Sequence, residues 1–153
     1  IGRLYEFQST ALIEQAVHEL NLPNLELNIH THEYQPIPLD KVGDELRHSS
    51  IVLVLTNPNT KGMMTTKFYE AFGCEKPVLC TPSDNGLLAQ TIRQTNAGLA
   101  SSDINEIKEF IIEKYREWQQ NGYTRQAVIN KEQFSREKQA QQFEQLFLQC
   151  IQQ

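Results

Sequence analysis

Five consecutive apolar residues, Ile51-Val-Leu-Val-Leu55, constrain this chain more than any other feature. A strand with one wet face alternates apolar and polar residues, whereas a strand covered by helices on both faces can be apolar throughout. The run is far short of the roughly 20 residues that cross a bilayer. It therefore predicts a central strand of a parallel sheet, the most buried strand of the fold. Pro77-Val-Leu-Cys80 reads as a second buried strand, and Thr65 or Thr66 between them can cap a helix running through Phe72. Parallel neighbours need crossover connections, usually helical.

The rest of the chain fits the same alternation. Leu4 to Phe7 reads as a strand exit, and Ser9-Thr10 precede Leu12, Ile13, Ala16, Val17 and Leu20, which recur at helical spacing. Leu25, Leu27 and Ile29 alternate with Glu26 and Asn28 as in a half-buried strand. Pro36-Ile-Pro38 is extended, and a short helix spans about 40–48. Further helices are expected over 85–95 and 103–120, flanking a short strand over 97–100. A Gln-rich helix over 135–153 carries Phe143, Leu146, Phe147, Cys150 and Ile151 along one side. That stripe is expected to cover the domain's own sheet, with docking on a partner domain as the alternative. The order of elements gives an α/β, Rossmann-like parallel sheet with helices on both faces.

At 153 residues the chain is one domain. A net charge of −5 and no basic stripe argue against nucleic-acid binding, which draws its affinity from clustered Lys and Arg. Cys74, Cys80 and Cys150 are odd in number and lack zinc-site spacing, which fits reduced, buried thiols in the cytoplasm. His30 and His32 alternate in an extended segment without a third ligand, and no metal is assigned to them. The start at Ile1 reads as a cut through a longer protein.

Open α/β sheets bind ligands at the carboxyl ends of their strands, which makes Thr56 to Glu70 the candidate site. Unpaired amides at a helix start, with Lys61 and Lys67, suit a diphosphate. Gly62 lets the backbone approach a ligand closely. Glu70 shares a helix face with Lys67 and can accept two hydrogen bonds from a ribose diol, while the pair also reads as an ordinary surface ion pair. Neither a Walker loop nor GxGxxG is present, so neither an NTPase nor a dinucleotide oxidoreductase is supported.

Three segments in order, Ser49 to Leu55, Lys61-Gly-Met-Met-Thr-Thr-Lys-Phe-Tyr-Glu-Ala-Phe72 and Lys76-Pro-Val-Leu79, resemble the C-terminal domain of GT-B glycosyltransferases of the family-4 type, especially those of bacterial polysaccharide assembly. Ala97-Gly98 and Phe134-Ser-Arg136 with Ala140 and Phe143 extend the resemblance. It implies a nucleotide diphosphate sugar as donor substrate, with no further cofactor. Glu70 would hold the ribose, Arg3 of Gly2-Arg3-Leu4 would clamp the diphosphate, and Lys61, Gly62, Thr65 and Lys67 would line the donor site. The resemblance assigns no catalytic residue here: acceptor and base belong to an N-terminal domain outside this chain, and the full enzyme admits peripheral membrane association. Two positions depart from the family. Gly62 stands where a sugar-holding glutamate is common, and Gln8 where a basic residue is common. A nucleotide-sugar 2-epimerase of the same fold and a non-catalytic assembly module are the alternatives.

Overall fold

The computed structural model describes residues 5, 6, 8–31, 36–59 and 61–151. Arg3, Gly2, Leu4, Phe7 and His32 lie outside them. Three parallel strands, β1 (Val52–Val54), β2 (Val78–Cys80) and β3 (Gly98–Ala100), form a sheet in that order. Six α-helices accompany them among the described residues: α1 (Ala11–Leu20), α2 (Val42–His48), α3 (Thr66–Gly73), α4 (Leu87–Gln94), α5 (Ile104–Asn121) and α6 (Arg136–Ile151).

Alternation along the strands sorts the core into two layers. Val52, Val54, Val78 and Cys80 face Leu46, Phe68, Ala71, Phe72, Leu88 and Ile92 from α2, α3 and α4. Leu79 faces Ile13 and Ala16 of α1 and Ile107 and Ile111 of α5, with Leu53 and Leu99 beside it. The two crossover helices α3 and α4 thus share one face, as same-handed parallel connections stepping one way across a sheet require. An α/β domain with a parallel sheet between helical layers is the result, consistent with a Rossmann-like arrangement.

Local chemistry sets the boundaries. Thr65 caps α3 by accepting the Phe68 amide at 3.3 Å, and Asp103 caps α5 by accepting the amides of Asn105 and Glu106. Gly122, at φ 76°, ends α5 in the left-handed conformation that glycine adopts without strain. Gly98, at φ 147°, lies so close to β2 that a Cβ there would stand 2.7 Å from the Val78 nitrogen. Only glycine lets β3 approach.

Three expectations are corrected. Val52–Val54 is an edge strand among the described residues, and Val78–Cys80 is the middle one. An apolar run reports that both faces are covered and is silent about the hydrogen-bonding edges. The segment over Leu25, Leu27 and Ile29 keeps alternating burial and packs Leu25 and Leu27 against the α1/α5 layer, yet forms no ladder; only Thr31 makes an isolated bridge. The stripe on α6 does not cover the sheet: Phe143, Leu146, Phe147, Leu148 and Ile151 are all more than half exposed. Of the expected strand exit over Leu4 to Phe7, the described part is Tyr5 and Glu6, where Gln8 N–H closes a turn on the Tyr5 carbonyl.

A segment whose role was not legible closes the amino ends of the strands. Thr124 Oγ1 donates to Ser50 O before β1, Gln126 N–H to Glu75 O before β2, and Ile129 N–H to Thr95 O before β3. Glu75 also pairs with Arg125 and Lys131. This strap leaves the carboxyl ends of the strands free to host a ligand.

Candidate functional site

At the carboxyl end of the sheet, each strand exit is tied to its neighbours by short polar side chains. Gln8 Nε2 donates to Leu55 O at 2.7 Å, holding the entry to α1 against β1. Gln8, at the position where the resembled family often has a basic residue, thus serves structure. Thr56 Oγ1 donates to Pro82 O, joining the exits of β1 and β2, and Ser83 N–H donates to Ser102 Oγ, joining β2 to β3.

A cleft of about 670 Å³ opens beside β1 on the side away from β2. Most of its wall is apolar side chain: Ile13, Val17, Leu25, Leu27 and Leu53 among others. That part is the flank of a sheet edge and offers nothing to bind a charged ligand. Polar side chains line the cleft as well: Gln8, Thr56, Thr65, Thr66 and Lys67 beside the exit of β1 and the start of α3, and elsewhere His30, Thr31, His48, Ser49 and Ser50.

The candidate residues are divided by this geometry. Thr65 and Lys67 stand in the wall of the cleft; Lys61, Gly62 and Glu70 do not. Lys67 Nζ lies 3.4 Å from Glu70 Oε2, so the two share one helix face as their spacing requires. With side chains 31 % and 40 % exposed, that pair contributes little to stability on its own and remains available to a ligand. Thr65 spends its hydroxyl on the α3 cap. Lys61 and Gly62 are exposed on the loop before α3, and the Lys61 carbonyl accepts the Leu87 amide of α4 at 2.8 Å. Gly62 has open space around it, so backbone freedom there is not spent on packing. No protein-family model, curated protein or solved structure matches the chain.

The helix starts differ in electrostatics, and this discriminates among them. Glu14 lies in the first turn of α1, Asp44 and Glu45 in that of α2, and Glu137 in that of α6. Asp84, two residues before the Gly86 cap position of α4, accepts the amides of Leu88 and Ala89, and Asp103 with Glu106 opens α5. Among the described helices α3 alone opens without a carboxylate, with neutral Thr65 as cap and Lys67 in its first turn. A helix start carries a partial positive charge that a carboxylate satisfies internally. At α3 no carboxylate of the described residues does so, and the neutral Thr65 hydroxyl caps the Phe68 amide instead.

Asp84 was missed by sequence reasoning, although an acidic residue just before an apolar periodic run is a recognised helix-start signal. Among the described residues no three of His, Cys, Asp and Glu cluster as a metal site, and no helix is long and apolar enough to cross a membrane.

Proposed function

We propose that this domain binds a nucleotide diphosphate sugar as the donor half of a GT-B glycosyltransferase, with the diphosphate at the start of α3. The observation that carries the reading is the acid-free start of α3, with Lys67 beside it, at the carboxyl end of β1. An anion there meets amides that lack intrahelical partners, and a lysine. Glu70, one turn along the same face, accepts the ribose hydroxyls, and on ligand binding Lys67 exchanges Glu70 for phosphate. Fixed positive groups around a departing nucleoside diphosphate lower the barrier to transfer because they are already oriented when charge develops. The resemblance adds Arg3 as a second diphosphate clamp and places acceptor and base on another domain.

Calorimetric titration with UDP and GDP tests this. The parent chain is expected to bind one of them, Lys67→Ala to weaken binding about tenfold or more, as loss of a charge-assisted hydrogen bond does, and Glu70→Ala to weaken the nucleotide but not inorganic pyrophosphate. Binding unchanged in both variants would overturn the assignment. A second reading, an assembly module without catalysis, is favoured by the exposed apolar stripe on α6. It predicts no nucleotide binding and concentration-dependent association through that helix.

A further inference from the structure

The first turn of α4 points its polar groups at its own chain. Asp84 occupies the amides of Leu88 and Ala89, and the Leu87 amide donates to Lys61 O at 2.8 Å. All three of these amides are therefore committed internally, and α4 has none of them left for a ligand. Gly86 is in contact with the Lys61 backbone: a Cβ at that position would meet the Lys61 carbonyl oxygen, and would stand 2.6 Å from its Cα and 2.8 Å from its carbonyl carbon. These are backbone atoms, so no side-chain rotation relieves the clash. One turn further along α4, the Thr91 hydroxyl lies 4.0 Å from the Met64 sulfur. The segment from Lys61 to Thr65, which leads directly into α3, is thus seated on α4.

We propose that Gly86 and Leu87 are positioning residues, a latch by which α4 fixes the Lys61–Thr65 segment and with it the entry to α3 at the candidate site. Gly86 is needed for its missing side chain and Leu87 for its amide. The ligand role of the latch rests on the donor-site reading above, while its existence does not.

The chain has only two methionines, Met63 and Met64, and both lie in the latched segment. Methyl NMR of the methionine-labelled chain therefore reads this segment directly. Two variants break the latch in different ways. Gly86→Ala introduces the clash. Leu87→Pro deletes the amide at the first position of α4, a position that tolerates proline, and sets its ring against the Lys61 carbonyl that this amide now meets, so it parts the two backbones while the largely exposed Leu87 side chain gives up little packing. Gly73→Ala, with open space around it, is the matched control.

Both latch variants are expected to shift the signals of the exposed Met63 and of Met64, which touches Thr91 of α4, and the control is expected to shift neither. Affinity for UDP or GDP should fall about tenfold in both, about 1.4 kcal/mol, and adding Lys61→Ala should then cost nothing further. An unchanged Met63 signal in Leu87→Pro overturns the latch, and that variant decides the matter if Gly86→Ala fails to fold. If the parent chain binds neither nucleotide, the donor-site reading falls and the methyl spectra alone judge the latch.

Discussion

Asp84 is fully buried, and its two carboxylate oxygens accept amides from Leu88 at 3.2 Å and Ala89 at 3.0 Å. Removing it leaves two amides at a buried helix start without partners. Asp84→Ala is expected to destabilise the chain by about 2 kcal/mol, the upper range for a lost cap, and Asp84→Asn by less, because an amide oxygen still accepts one bond. Urea denaturation of the three chains reads the order directly. The cap of α3 was legible as one of two threonines, of which the structure selects Thr65, and the start of α5 was legible at Asp103, though not its role as the cap. Gly86 was not legible, since its requirement comes from Lys61, a residue 25 positions away that only the fold brings into contact. Lys67 and Glu70 were placed on one face by spacing alone, and the structure finds them paired there.

The elements divide by how much of their stability is local. Helical periods for α1, α3, α4 and α5 are carried by side chains three and four residues apart, and the structure has helices where those periods fall. A strand depends on a neighbour, so the alternation of Leu25, Leu27 and Ile29 correctly marks which side chains turn inward and still yields no ladder. The strap after α5 has no period at all; its residues matter through bonds to Ser50, Glu75, Thr95 and Asn96. Truncation separates the two C-terminal elements. α6 has no buried residue and meets the body chiefly through the turn Lys131–Phe134, so a chain ending at Ser135 is expected to melt within a few degrees of the parent. A chain ending at Tyr123 loses the strap and the contact of Phe134 with Tyr69 and Phe72, and is expected to melt well below both. Equal melting of the two truncated chains would show that the strap holds nothing.

For the molecule as a whole, the two ends of the sheet have different tasks: the strap seals the amino ends, and loops and helix starts gather at the carboxyl ends. The buried middle strand also sets a response to pH. Burial is the main cause that raises the Cys80 thiol from its ordinary 9.0 to about 11. Below pH 9 the folded and unfolded chains both hold that proton, and the contribution to stability is complete. Between 9 and about 11 the unfolded chain releases the proton while the folded chain keeps it, so stability falls as pH rises, by about 2 kcal/mol at pH 11. Cys80→Val keeps an apolar side chain in the middle strand and cannot ionise. Urea midpoints from pH 8 to pH 11 should therefore fall more steeply for the parent than for this variant, and parallel curves would remove Cys80 as the cause.

The sequence by itself determined that the chain is α/β, that Val52–Val54 and Val78–Cys80 are strands covered on both faces, and that a lysine and a glutamate share the face of the helix following the first of them. Those properties follow from the period of burial along one segment and from side-chain spacing within one helix. The tertiary structure decided which strand has neighbours on both edges, which helix start is left without a carboxylate, and which backbone leans on Gly86. Each of these depends on where distant segments meet. The hydrogen bonds and electric fields that result act across space, and a pattern read along the chain carries no record of them.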